Sequence, residues 1–211
     1  MKLRPVLFVL AGVNGAGKSS IGGHLLGRAG LAWFNPDTFA RELLADTGCE
    51  QTEANGAAWQ EGMRRLDAAL ATGTSHAFET TLGGHTVPAR IKAASATHDV
   101  LMWFCGLSSP ELHIARVRAR VAVGGHDIAE AKIRERYPAA LENLIVLMPS
   151  LAQLQVYDNS VDVAVGEAIP DPRLLLEMSA GKPTWPRDLA TLQKTPDWAK
   201  PLLEAALVLG G

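Results

Sequence analysis

The chain has 211 residues, enough for one well-packed α/β domain and short for two. Its 20 Lys and Arg stand against 22 Asp and Glu, a formal charge of -2, so the whole-chain balance gives no electrostatic case for binding nucleic acid. The two cysteines, Cys49 and Cys105, lie far apart without CxxC spacing, which argues against a disulfide scaffold and against a zinc knuckle.

Arg4 to Ala11, RPVLFVLA, is a short apolar run that reads as a buried parallel strand. The opening MKLRPVLFVLAG has the charge-then-apolar look of a signal peptide. It flows directly into a glycine loop, however, so it is read as the first strand of a soluble cytoplasmic protein. No segment offers a membrane-spanning length of uninterrupted apolar sequence, and no membrane association is expected. The loop runs from Gly12 to Gly17, and a helix is expected from Lys18 to about Ala29. Leu31 to Asn35 reads as a second strand, after which Pro36-Asp37 opens a helix with Asp37 as its cap.

Glu50 to Ala71, rich in Ala and Glu and free of proline, predicts a long helix. Ser75 to Thr80, SHAFET, is a third strand with Glu79 near its end, and GGHTVPARIKAAS predicts a turn and a helix with Pro88 in the first turn. Asp99 to Gly106, DVLMWFCG, is the clearest central strand after the first. Ser109 is placed to cap the next helix, with Pro110 in its first turn and Gly124-Gly125 as its stop. A further helix covers Ile128 to Tyr137 and resumes through LENLIVLM. Leu154 to Tyr157 is a fifth strand, and Val161 to Val165 a short extended piece. Beyond Asp171 come a strand-and-turn excursion and a loose pair of helices over Leu189 to Leu209. The alternation predicts a P-loop, three-layer α/β/α sandwich with a mostly parallel sheet. One domain over 1–211 is expected, with a core of about 4–165 and a C-terminal extension of about 166–211.

Gly12-Val13-Asn14-Gly15-Ala16-Gly17-Lys18-Ser19 fits G-x-x-x-x-G-K-[ST], in the strand, loop, helix order that phosphate binding requires. Backbone N–H groups of Asn14, Gly15, Ala16 and Gly17 are candidates to cradle phosphates at a helix N-terminus, with Lys18 reaching the β and γ phosphates and Ser19 a candidate ligand of Mg2+. Ser20 is a candidate for either phosphate or the helix backbone. This predicts a nucleoside triphosphate, ATP with Mg2+, and leaves open where the last phosphate goes.

Ligands of a doubly wound sheet gather beyond the carboxyl ends of its strands, which brings Asp37 and Glu79 to the rim that holds Lys18. A carboxylate there can orient an acceptor hydroxyl and take its proton, and either residue can also hold Mg2+ through water. The plain alternatives are a helix cap for Asp37 and a solvated strand end for Glu79. Thr80 and Thr81 add hydroxyls that serve either substrate or the turn. Arg116, Arg118 and Arg120, then Lys132, Arg134 and Arg136, flank Gly124-Gly125 as an arginine-bearing lid would, or form a solvated face paired with Glu111, Glu130 and Glu135. His85 and His126 follow Gly-Gly pairs without metal-site partners, so phosphate or substrate contact, or turn structure, is the economical reading. Tyr157-Asp158-Asn159-Ser160 is an adenine-side loop or a simple turn. Trp33, Trp59 and Trp103 are expected to pack in or beside the core, with Trp59 also placed to line a substrate site.

AGVNGAGKSS, FNPDTFA, FETTL, RVRARVAVGGHDI, IRERY and VYDNS together resemble the zeta toxin family of P-loop kinases, especially its short branch, over roughly Val6 to Ser160. The resemblance implies an ATP-dependent phosphotransferase in which Lys18 and Ser19 bind ATP-Mg and Asp37 activates the acceptor. Glu79 resembles the substrate-side glutamate. Arg120 is similar to the first phosphate-contacting arginine, and the second falls on Arg134 or Arg136. Characterised zeta toxins phosphorylate UDP-N-acetylglucosamine, which makes a small hydroxylated metabolite the expected partner and a protein antitoxin a further one. Apart from the resemblance, an NTPase or nucleotide-driven interaction module is the alternative, although Asp162 lacks the long apolar strand that a Walker-B aspartate follows.

Overall fold

The structure, a computed structural model, describes residues 3–19, 22, 32–161 and 171–210. The expected helix beyond Ser19, with Ser20, and the extended piece beyond Val161, with Asp162, lie outside the described residues apart from Gly22, which is helical.

Strand β1, Val6–Ala11, is flanked by β2, His76–Thr80, and β3, Asp99–Gly106, both parallel to it. Its apolar run follows from burial on both faces, which removes any need for alternation. Strand β4, Gln153–Asp158, continues the parallel order beside β3. Two antiparallel strands, β5 at Arg173–Ser179 and β6 at Lys182–Trp185, complete the order β2-β1-β3-β4-β5-β6. The strand expected at Leu31 to Asn35 appears among the described residues as one bridge, Phe34 to Phe78. Phe34 N donates to Ala77 O and Glu79 N to Phe34 O, each at 2.9 Å. Pro36, which has no N–H to extend the ladder, begins a helix instead.

That helix, α1 at Pro36–Thr47, corrects one expectation: its cap is Asn35, not Asp37. Asn35 Oδ1 accepts from Asp37 N at 2.9 Å and from Thr38 N at 3.2 Å, leaving the Asp37 carboxylate free for the rim. Next come α2 at Gln51–Thr72, α3 at Thr86–Ala94 and α4 at Pro110–Ala122. Ser109 caps α4 as its sequence predicts, accepting from Leu112 N at 3.2 Å.

Helix α5, Glu130–Leu147, runs unbroken through Pro138, where two helical pieces were expected. Proline removes one intrahelical bond and disfavours helical geometry at Tyr137. Both halves are nevertheless pinned by side chains fully inside the core, Ile133 before it and Ala140, Leu144 and Leu147 after it, each larger one contributing about 2 kcal/mol by burial. Short α6, Leu189–Gln193, and α7, Lys200–Gly210, close the chain.

One face of the sheet, carrying Leu7, Val9, Val100, Met102 and Phe104, packs on Leu66 of α2, Ile91 of α3, Val117 of α4 and Leu144 of α5. Phe8 and Ala77 are buried on the opposite face with Val6, Trp33, Leu101 and Trp103. The C-terminal part shares the first core through Trp198, Leu202, Leu203 and Ala206. Among the described residues, no helix is long and apolar enough to cross a membrane.

Candidate active site

The register Ala11 to Thr80 and Ala11 to Phe104 puts the loop that leaves β1 beside the carboxyl ends of β2 and β3. Gly12 N donates to Thr80 O at 3.1 Å, and Ala16 N closes a tight turn on Val13 O at 3.1 Å. Gly15 has φ +84°, and a Cβ there would stand 2.7 Å from the carbonyl oxygen of His113. Both the left-handed backbone and the close approach of α4 demand glycine at this position. Lys18 and Ser19 are helical, and Lys18 is buried with only 7% of its surface exposed.

Four residues from three segments converge beneath this loop. Lys18 Nζ lies 3.5 Å from Glu79 Oε1 and donates to Val13 O at 3.4 Å. Ser19 Oγ donates to Glu79 Oε2 at 3.1 Å, while Asn35 Nδ2 donates to Glu79 Oε2 at 2.9 Å and to Ser19 Oγ at 3.1 Å. Glu79 is as buried as Lys18, so it is no solvated strand end, and each charge depends on the other for compensation. Asn159 Nδ2 donates to Ala16 O at 2.9 Å, which places that residue against the loop.

A cleft of about 460 Å³ opens from Lys18 and Glu79. Asp37, at the start of α1, lines it together with Asn55, Trp59 and Met63 of α2. Trp59, 52% exposed, presents its ring to the cleft instead of the core. The turn after β2 contributes Thr80, Thr81 and His85, the last at the N-cap position of α3 without a side-chain cap bond. Thr80 Oγ1 accepts from Leu82 N at 3.1 Å and Thr81 Oγ1 from Gly83 N at 3.5 Å, so both hydroxyls serve the turn while facing the cleft.

The arginines separate by their contacts. Arg120 Nη1 lies 3.5 Å from Asp37 Oδ2, and its Nη2 donates to His126 O at 2.7 Å, which ties the Gly124-Gly125 loop to the start of α1. Arg136 Nη1 donates to Asn14 Oδ1 at 2.8 Å, and Arg136 forms no ion pair among the described residues. Arg134 points elsewhere, to Glu111 Oε1 at 2.6 Å, and its hydrogen bond holds the Glu111 carboxyl below its ordinary range. Residues two apart on a helix face different ways, which is why α5 can bring only one of this pair to the loop. Arg118 pairs with Glu130, and Arg116 Nη2 donates to Val161 O at 2.9 Å.

Three contributors had weak or no sequence signal. Asn35 was legible as an N-cap through Asn-Pro, but its link to Glu79 was not. His113, a lone histidine on an amphipathic helix, is 1% exposed with Nδ1 2.8 Å from Asn14 O. A carbonyl only accepts, so Nδ1 carries the proton. Burial brings the His113 pKa down to about 4, with positive Lys18 and Arg116 acting in the same direction. Asn143 of α5 donates to the turn after β2 and carried no local signal at all. Cys105, under the loop, is pushed up to about 12 by burial and stays a thiol. Among the described residues there is no group of three or more His, Cys, Asp or Glu that could hold a metal ion.

No protein-family model matches the chain. An uncharacterized protein of Haemophilus influenzae is 29% identical over 133 residues, 60% of this chain and 88% of its own length. The solved AvrRxo1-ORF1:-ORF2 complex with ATP superposes with a TM-score of 0.63 at 16% identity, over 97% of this chain. This chain spans 64% of the length of that one. A structure of the PezAT chromosomal toxin-antitoxin system of Streptococcus pneumoniae gives a TM-score of 0.52 at 15% identity, covering 75% of this chain and 68% of its own. The fold is P-loop kinase-like. Its phosphate loop follows β1, its sheet is parallel from the Phe34 bridge through β4, and the three-layer α/β/α sandwich expected from the sequence is the architecture it shares with these proteins.

Proposed function

We propose that the protein is an ATP-dependent phosphotransferase that moves the γ phosphate to a hydroxyl of a small molecule. The observation that carries this reading is the common cleft of Lys18 and Asp37, which come from different segments of the chain to line one space. A nucleotide switch needs the first group and has no use for the second. Lys18 and the loop amides hold the triphosphate, and Asn159 borders the loop on its base side. Asp37 accepts the proton of the acceptor hydroxyl as its oxygen bonds to phosphorus and the bond to the β-phosphate oxygen breaks. Arg136, next to the loop, and Arg120, next to Asp37, offset charge on the phosphoryl oxygens during transfer. Arg134 is left to the α4–α5 contact.

Ser19 Oγ and the Glu79 carboxylate, within 3.4 Å of each other, fit Mg2+, a cation that takes oxygen donors and usually keeps several waters. Mg2+ would supply charge neutralisation across the phosphates. Glu79 serves that role or the substrate-side role that the zeta toxin resemblance suggests, and Thr80, His85 and Trp59 line the acceptor half. UDP-N-acetylglucosamine and other nucleotide sugars are the first acceptors to test. By analogy with the partnered neighbours, a protein inhibitor is a further candidate partner.

The test is untargeted mass spectrometry of a metabolite extract incubated with Mg-ATP and protein, with nucleotide sugars assayed separately. An ATP-dependent gain of one phosphate on a metabolite, lost in Asp37→Ala, is the expected result. Release of inorganic phosphate alone, at a rate that Asp37→Ala leaves unchanged, would replace this reading with an NTPase.

A further inference from the structure

Helix α5 touches both halves of the cleft. On the donor side Arg136 donates to Asn14 Oδ1, and Asn14 is 5% exposed. The backbone of α5 also presses on Gly83, where an added Cβ would stand 3.0 Å from Arg136 Cα and 2.7 Å from its Cβ. Seven residues further along, two turns on and on the same helix face, lies Asn143. Its Nδ2 donates to Leu82 O at 2.8 Å and to Gly84 O at 2.9 Å, which uses both protons of the amide.

The segment held in this way is the acceptor-side turn. Leu82 adopts φ +57° with its side chain 1% exposed in the core, a backbone geometry that a bulky residue keeps only under outside support. Within the turn the N–H groups of Leu82 and Gly83 are taken by the threonine hydroxyls before them, so Asn143 supplies the bonds to its carbonyls. A single helix face therefore grips the phosphate loop at one point and the acceptor turn at another.

Resting on the phosphotransferase reading, we propose that Asn143 is a positioning residue for transfer: it fixes the acceptor turn to the helix that docks Arg136 on the phosphate loop, so α5 sets the register between acceptor and donor. In-line transfer is sensitive to such register, since a displacement of about 1 Å costs on the order of a hundredfold in rate. Asn143 touches neither substrate. Its effect passes through the turn.

Asn143→Asp keeps the size of the side chain and replaces the two donors with acceptors facing two carbonyls. Asn143→Gln keeps the amide one methylene further out. In the full-length protein, hydrogen exchange of the 82–87 amides is expected to quicken about tenfold in Asn143→Asp. Mg-ATP affinity should stay within about twofold, and the rate of phosphorylated-product formation in metabolite extract should fall about tenfold or more, most steeply at high extract dilution. Asn143→Gln should recover part of both losses. Unchanged exchange at 82–87 with product formation intact removes Asn143 from this role. A loss of Mg-ATP affinity as large as the loss of rate also overturns the proposal, because the residue would then serve the whole fold. Wild-type protein that forms no phosphorylated product removes the transfer reading, and the proposal with it.

Discussion

Acid should weaken this protein through His113. The ring sits between α4 and the phosphate loop, packed edge-on against Tyr137 at 5.6 Å with Nδ1–H on Asn14 O. Burial lowers its pKa from 6.5 to about 4, so between those values the unfolded chain binds a proton that the folded protein refuses. The stabilisation is complete above the unfolded value and is lost as pH falls toward the folded one. Lowering the pH from about 7.5 to about 5 protonates nearly all unfolded and about one tenth of folded molecules at this site, a loss of about 2 kcal/mol. Urea unfolding across this range measures the loss in wild type and in Asn at this position, His113→Asn. The substituted side chain keeps an N–H near the position of Nδ1 but does not titrate. Carboxylates contribute equally to both proteins and cancel in the difference, which should change by about 2 kcal/mol. Stability curves that run parallel over this interval would show that the ring protonates in the folded state at its ordinary pKa.

Asp37→Asn should lower product formation by about a hundredfold or more while Mg-ATP affinity, read by calorimetry, stays within about twofold. Arg136→Gln should slow transfer at least about tenfold, whereas Arg134→Gln, which breaks only an exposed ion pair, should leave rate and melting temperature nearly unchanged; equal losses would contradict the orientation of α5. Glu79→Ala leaves Lys18 buried without its counter-charge and should cost about 3 kcal/mol or more by chemical denaturation, and a loss below about 1 kcal/mol would mean that solvent reaches the ammonium group. Gly15→Ala meets both a positive φ and the His113 carbonyl, so Mg-ATP binding should be lost in calorimetry even where circular dichroism reports a folded chain.

The elements that read clearly in sequence were those whose pattern is set locally. DVLMWFCG became β3 with the expected bounds because a strand buried on both faces needs only an apolar run. Ser109-Pro110 opened α4 because a cap and a first-turn proline act within four residues. The assignments that failed turned on geometry that residue type and spacing leave open. Asp37 was read as a cap, yet Asn35 two residues earlier had the better geometry for the same donors. Pro138 was read as a break, yet core contacts on both sides outweighed one missing bond. Of the two places open to Trp59, beside the core or lining a substrate site, the structure gives the second, because its stretch of α2 borders the cleft.

For the site, sequence alone determined the chemical inventory: a loop of the G-x-x-x-x-G-K-[ST] pattern between a strand and a helix, two carboxylates near strand ends, and a pool of arginines around a glycine turn. Those features depend on residue type and short spacing, which the chain carries in one dimension. Tertiary structure decided the pairings. It buried Glu79 against Lys18, turned Asp37 toward Arg120, selected Arg136 over Arg134 for the loop, and recruited His113 and Asn143, whose partners lie 99 and 61 residues away. A hydrogen bond is made at about 3 Å in space and leaves no trace in the spacing of the residues that form it.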